Sequence, residues 1–155
     1  MFRKSMIALA VCFAAAPWAA QSQTLVSLNH PMPGGAQIAL QLTDGTVMAQ
    51  SASDDAAWYR LTPDNTGSYV NGTWAKMASL PSGYSPEAFA SAVLADGRLL
   101  IEGGEYNPAN DFTLTNLGAI YDPVANKWTA VTAPSGWSTV GGASASMSSK
   151  ESWPG

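Results

Sequence analysis

The stretch that decides the fold is Leu99-Leu100-Ile101-Glu102-Gly103-Gly104, followed by Ala119-Ile120-Tyr121-Asp122-Pro123 and then by Trp128. Two short apolar runs, one ending in Gly-Gly and the other in Tyr-Asp-Pro, are typical of β-strands joined by turns and loops. Trp128 stands five residues after Pro123 and begins a further apolar stretch. The order of these features predicts a sheet of short strands.

The pattern occurs twice in the chain, at a spacing of roughly 50 residues. Asp44-Gly45 returns as Asp96-Gly97 after 52 residues, and Trp74 returns as Trp128 after 54. Pro81 returns as Pro134 after 53. Because the offsets vary, we expect the loops of the two copies to differ in length.

Each copy predicts four strands. The first three strands are expected at 38–43, 46–50 and 57–61 in one copy, and at 90–95, 98–102 and 119–121 in the other. The fourth begins at Trp74 or Trp128. Each Asp-Gly pair predicts a two-residue hairpin turn, since glycine accepts a positive φ. No stretch after residue 23 has helical periodicity, so the chain is predicted to be all-β.

These residues resemble those of kelch-repeat proteins of the exported bacterial type, which are distantly similar to the galactose oxidase propeller. Residues 84–136 carry the motif well, whereas 30–83 form a degenerate copy. There Ser51-Ala52 replaces Gly-Gly, and Leu61-Thr62-Pro63 replaces Tyr-Asp-Pro. The resemblance implies four-stranded antiparallel blades of a β-propeller.

The sequence predicts an incomplete propeller of two blades. A third copy is expected near Trp137, but its Asp-Gly position falls on Ser149-Lys150. Residues 137–155 are therefore interpreted as an aberrant Ser-rich tail at the start of a lost third blade. A natural tail is one explanation, and truncation or a frame change after Val140 is the other. We favour truncation, since propellers typically have about four to eight blades.

The N-terminus predicts export. A basic pair, Arg3-Lys4, precedes the apolar run Met6–Ala16, and Ala20-Gln21-Ser22 offers small residues to a signal peptidase. Residues 1–22 are thus predicted to be a signal peptide that forms a helix, and the protein to be secreted or periplasmic. Cleavage would remove Cys12, the single cysteine, and no membrane segment would remain.

Removal of Arg3 and Lys4 would also take the formal net charge from −4 to −6. A chain this acidic, with no basic cluster, is a poor candidate for binding nucleic acid. His30 is the single histidine, and a catalytic metal site generally needs two or three such ligands. The copper-radical oxidases that resemble this fold use a cysteine joined to a tyrosine, and the mature chain would contain no cysteine. We therefore expect no metal, no cofactor and no catalytic residue.

The motif residues have structural and functional interpretations. Trp74 and Trp128 are suited to stacking on a sugar, but a strand tryptophan more often packs against the neighbouring blade. Tyr121 is expected to bond within its blade, and Gly103-Gly104 to permit close backbone approach. The structural motif is then predicted to comprise Asp44, Gly45, Trp74, Asp96, Gly97, Gly103, Gly104, Tyr121, Asp122, Pro123 and Trp128.

The loop from Glu105 to Leu117 carries the best indication of binding, because loops on rigid scaffolds often recognise ligands. Its aromatic, amide and acidic side chains suit sugars or peptides. The candidate binding residues are Tyr106, Asn107, Asn110, Asp111 and Phe112. The alternative is that this loop has no binding role and varies in sequence only because it is exposed.

Together these features predict a secreted or periplasmic kelch-type binding scaffold, a fragment without catalysis of its own, for an unknown protein or glycan. The alternative is a fragment of a kelch-fold enzyme, such as an exported sialic acid mutarotase or a galactose oxidase-like protein. Self-association is expected through exposed blade faces carrying Val93, Leu99 and Ile101, because an array generally needs about three repeats to bury its core.

Overall fold

The computed structural model describes residues 24–107 and 112–133, so the predicted signal peptide and the Ser-rich tail lie outside the described residues. Eight strands form two four-stranded antiparallel sheets, each paired in sequence order. The strands of the first sheet are β1 (Ala36–Gln41), β2 (Val47–Ser51), β3 (Trp58–Thr62) and β4 (Thr73–Lys76). Those of the second are β5 (Ala90–Val93), β6 (Leu99–Glu102), β7 (Gly118–Asp122) and β8 (Lys127–Val131).

We call these sheets the first and second blade. The all-β prediction is confirmed, and strand starts lie within two residues of those predicted. The described ranges contain no helix, and hence none of a length and apolarity that could span a bilayer.

Both Asp-Gly turns join their strands through three residues, so the prediction of a two-residue turn was wrong. Leu42 N–H donates to the Thr46 carbonyl at 2.8 Å, and Gly45 N–H donates to the Leu42 carbonyl at 3.1 Å. Gly45 has a φ of 83° and Gly97 one of 87°, whereas Asp44 keeps a negative φ. A type I turn followed by a left-handed glycine has this geometry. The Asp44 carboxylate secures it by accepting the N–H and hydroxyl of Thr46.

Strand register makes the two blades equivalent position by position. Met48 pairs with Arg60 as Leu100 pairs with Ile120. Gln50 likewise faces Trp58 across β2 and β3. Counted in this way, the matching positions are Met48 and Leu100, Gln50 and Glu102, Trp58 and Gly118, Arg60 and Ile120, and Trp74 and Trp128.

The hydrophobic core lies between the blades. Met48 and Trp58 of the first blade are fully buried with Leu99, Ile101 and Tyr121 of the second. The expectation that Leu99 and Ile101 line an open face was therefore wrong. Their side chains face the first blade, and the alternate residues of β6 and β7 lie on the other side.

Three polar contacts also join the blades. The Trp128 indole N–H donates to the Ala78 carbonyl at 3.1 Å, just after β4. The Ala78 N–H donates in turn to the Asn126 side-chain oxygen at 3.0 Å. At the other end of the sheets, the Gln50 amide donates to the Pro86 carbonyl at 2.8 Å. Since each donor or acceptor has a defined direction, these bonds fix the orientation of the two sheets as well as their contact.

The segment before β1 forms hydrogen bonds to the first blade around the start of β4. Asn29 N–H donates to the Val70 carbonyl at 2.8 Å, and His30 Nδ1 lies 3.0 Å from the Gly72 carbonyl. The Trp74 indole N–H donates to the His30 carbonyl at 3.1 Å. Trp74 thus bonds to the segment that precedes its blade, as Trp128 bonds to the end of the blade before it.

Candidate functional site

The candidate site is the loop 103–117, which connects β6 to β7. Its two ends are held together by backbone bonds: Gly103 N–H donates to the Leu117 carbonyl at 2.8 Å, and Thr115 N–H to the Gly104 carbonyl at 3.2 Å. These bonds extend the β6–β7 pairing past Glu102, so the base of the loop has little freedom to move.

Close approach at this base requires glycine. Gly104 has a φ of 118°, and a Cβ added there would lie 2.5 Å from the Pro86 Cβ. The neighbouring Glu87 and Glu105 exchange two backbone hydrogen bonds of 2.9 and 2.8 Å. The buried Tyr84 hydroxyl donates to the Gly103 carbonyl at 3.0 Å. The chain that enters the second blade is therefore bonded directly to the candidate loop.

Asn107, a predicted binding residue, is held inside this base with 5% of its surface exposed. Its side-chain oxygen accepts the Ser85 N–H at 2.7 Å, and its amide donates to the Gly83 carbonyl at 3.2 Å. Its own N–H donates to the Thr113 carbonyl at 3.2 Å. With these partners Asn107 positions the loop.

Two aromatic residues of the loop, the half-buried Tyr106 and the exposed Phe112, lie next to this base. Tyr106 and Phe112 meet edge to face, with ring centroids 5.6 Å apart. Phe112 is 65% exposed, and Tyr106 is held at a positive φ of 54°. Such strain in a residue other than glycine persists where the surrounding structure enforces it. The other two predicted binding residues, Asn110 and Asp111, lie outside the described residues.

The matching loop of the first blade is also acidic. Asp55 there accepts a hydrogen bond of 2.8 Å from the Gln37 amide. Burial raises the pKa of Asp55 and the neighbouring Asp54 charge adds to it, although the bond from Gln37 acts in the opposite direction. This loop therefore contributes carboxylates to the sheet end that also carries Glu87 and Glu105.

Within residues 24–107 and 112–133, no three His, Cys, Asp or Glu side chains are grouped so that they could hold a metal ion. His30 lies beside the Gly72 carbonyl, at the opposite end of the first blade from Gln50. The side chains at the loop can donate and accept hydrogen bonds and stack, which is the chemistry of binding.

The remaining motif residues lie in turns or between the blades. Asp122 accepts the N–H groups of Val124 and Ala125 at 2.8 and 3.0 Å, which closes the β7–β8 turn around the half-buried Pro123. The Tyr121 hydroxyl donates to the Asn126 oxygen at 2.9 Å. Asp96 forms an exposed ion pair with Arg98 at 2.7 Å.

Sequence reasoning missed the polar residues that join the blades. Asn126 accepts bonds from both Tyr121 and Ala78, and it has a positive φ of 47°. Asparagine directly before a strand is a signal for such a turn conformation. Gln50, 1% exposed, directly follows the apolar run Val47–Ala49 in β2, and a polar residue that continues an apolar strand was the available signal.

The strand order, the register and the core between the sheets define the class of protein. The described residues form two consecutive four-stranded antiparallel blades of the β-propeller kind, and the fold class is all-β. No family model matches the chain, and no curated protein matches it.

Among solved structures, the chain is similar to a fungal alcohol oxidase of the AA5 family in complex with copper. The identity is 21% and the TM-score 0.46, over 63% of this chain and 18% of the oxidase. It is also similar to YjhT, with 24% identity and a TM-score of 0.46, over 69% of this chain and 28% of YjhT. The chain spans less than a third of either protein, and the fold assignment rests on the two sheets themselves.

Proposed function

We propose that this chain is part of an exported kelch-type binding scaffold, and that the loop after β6 contacts its ligand. The observation that carries this proposal is the contrast within the loop. Its base is fixed by Asn107 and by backbone bonds, whereas Phe112 is 65% exposed beside Tyr106. A side chain already held in position loses less conformational entropy on binding.

The chemistry of the loop favours a glycan or an extended peptide as the ligand. Tyr106 and Phe112 offer ring faces and edges on which an apolar sugar face or a side chain can pack. Glu105 and Glu87 lie at the loop base and carry carboxylates that can accept hydrogen bonds from hydroxyl or amide groups.

Binding to glycan and protein arrays tests this function. We expect Phe112→Ala to reduce the affinity for the selected ligand at least about tenfold, as loss of an interface aromatic commonly does. Val124→Ala is the matched control, because Val124 is 96% exposed in the β7–β8 turn at the opposite end of the sheet. Equal binding by both variants, or no ligand on either array, would overturn the proposal.

Export is the second part of the proposal, supported by the basic pair, apolar run and small residues of the N-terminus. The mass of the exported protein should match a chain that begins after Ser22. An exported protein that retains Met1 would refute the cleavage.

A further inference from the structure

The outer face of the second blade is the side of β5, β6 and β7 that points away from the first blade. It carries Leu100 and Ile120, both half-buried, and the exposed Ala92. A shallow cavity of about 130 Å³ lies on it, lined by Ala90, Ser91, Ala92, Leu100 and Glu102. On the matching face of the first blade, Met48 and Trp58 are fully buried.

The cover on the first blade is supplied in part by the chain that connects the blades. The Leu80 N–H donates to the Ala56 carbonyl at 3.0 Å, and the Pro86 carbonyl accepts the Gln50 amide at 2.8 Å. The Phe89 ring lies 6.0 Å from the Trp58 ring. This segment then continues into β5.

The sequence of this connecting segment recurs after β8. Residues 81–93 read Pro-Ser-Gly-Tyr-Ser-Pro-Glu-Ala-Phe-Ala-Ser-Ala-Val, and residues 134–146 read Pro-Ser-Gly-Trp-Ser-Thr-Val-Gly-Gly-Ala-Ser-Ala-Ser. Seven of the thirteen positions are identical at a constant shift of 53. An aromatic residue also recurs, as Trp137 in place of Tyr84.

The differences between the two segments match the differences between the two faces. Gln50 donates to the Pro86 carbonyl, and proline has no N–H. The residue equivalent to Gln50 is Glu102, whose ionised carboxylate can only accept hydrogen bonds. The residue equivalent to Pro86 is Thr139, which supplies both an N–H and a hydroxyl donor. In the first blade the strand residue donates and the connecting segment accepts, whereas in the second blade the strand residue would accept and the segment after β8 would donate.

The second difference concerns side-chain volume. Trp58 packs on Phe89 in the first blade, and their equivalents are Gly118 and Gly142. A Cβ added at Gly118 would lie 2.9 Å from Val131. With both large rings replaced by glycine, the backbones can approach closely at this point.

From these matches we propose that residues 134–146 bind the outer face of the second blade, as residues 81–93 bind the matching face of the first. The chain would then cover its own apolar face, with Thr139 donating to Glu102. This proposal is independent of the ligand assigned to the loop after β6, and it competes with self-association through the same face.

Hydrogen exchange of the full chain, measured by mass spectrometry, tests this. We expect residues 134–146 to exchange at least about tenfold more slowly than an unprotected peptide, since bound amides exchange only on opening. Leu100→Asp should remove this protection while residues 81–93 stay protected. Val124→Asp, an exposed change in the β7–β8 turn, should leave both segments unchanged.

Exchange of residues 134–146 at the unprotected rate in the unaltered chain would overturn the proposal. Protection that rises with protein concentration would assign the face to a second copy and overturn it as well.

A pair of substitutions tests the register. Thr139→Pro should reduce the protection of 134–146, because it removes both donors and leaves Glu102 facing a carbonyl. Combining it with Glu102→Gln should restore the protection, since this pair reproduces Gln50 and Pro86. Wild-type protection in the Thr139→Pro variant alone would show that the register is wrong.

Discussion

The indole rings of Trp58 and Trp128 pack against each other across the two blades, with centroids 5.3 Å apart. Trp58 comes from β3 and is fully buried, while Trp128 comes from β8 and also packs on Tyr121 at 5.1 Å. Trp128 is therefore the residue through which the second blade contacts the first by both packing and a hydrogen bond.

Trp128→Ala should lower the free energy of unfolding by about 3–5 kcal/mol, because it empties a large buried site. Trp128→Phe should cost less, since a ring remains and mainly the bond to Ala78 is lost. Trp74→Ala is the matched control at the equivalent position, where the side chain is only half-buried, and its loss should be smaller. Urea unfolding measures all three, and equal losses for Trp74→Ala and Trp128→Ala would contradict this account.

Asn126→Gly should destabilise the protein by about 1–3 kcal/mol, because the Tyr121 hydroxyl and the Ala78 N–H both lose their acceptor. Glycine accepts the positive φ of this position, so backbone strain does not confound the result. Asn126→Asp keeps an acceptor oxygen and should retain more of the stability. Thermal unfolding that gives the reverse order would show that the two bonds contribute little.

Gln50→Glu should destabilise the protein by about 3–5 kcal/mol at neutral pH, since it buries a charge without a partner. Both bonds donated by the Gln50 amide, to the Asp55 and Pro86 carbonyls, are lost with it. The cost should shrink at acidic pH, where the new carboxyl is protonated. Gln41→Glu, an exposed change on β1, is the control and should have little effect.

These residues show where sequence reasoning works. Asp44, Asp96, Trp74 and Trp128 mark turns and strand starts, because local chemistry fixes them and the repeat confirms their spacing. Asn126 and Gln50 act across the blades, and their partners are backbone groups of Ala78 and Pro86. Because every residue has backbone groups that form hydrogen bonds, the type of the partner residue does not indicate such a contact in the sequence. The partners of the Asn107 side chain, at Ser85 and Gly83, are backbone groups as well, so the sequence could not indicate them, and a role of Asn107 in binding stays a prediction.

Alkaline pH should destabilise the protein through Tyr84. Burial raises the pKa of the Tyr84 phenol above its usual value of 10.0, and the Glu102 charge adds to the shift. The folded state therefore holds this proton after the unfolded chain has released it, and the free energy of unfolding falls as the pH rises above about 10. Burial also raises the pKa of Tyr121, which acts in the same direction.

Tyr84→Phe should accordingly reduce the steepness of this decline without abolishing it. Urea unfolding between neutral pH and pH values above 10 gives the slope. A slope identical to that of the unaltered protein would mean that the Tyr84 phenol is not shielded as the structure places it.

The most direct test of the central claim, that the two sheets pack as consecutive blades, is an NMR measurement of proton contacts of the Trp128 ring. Contacts to Trp58 of the first blade should accompany those to Tyr121 of its own blade, since both rings lie at similar distances. Contacts to Tyr121 without any to Trp58 would show that the second blade folds without packing on the first, and would contradict the account.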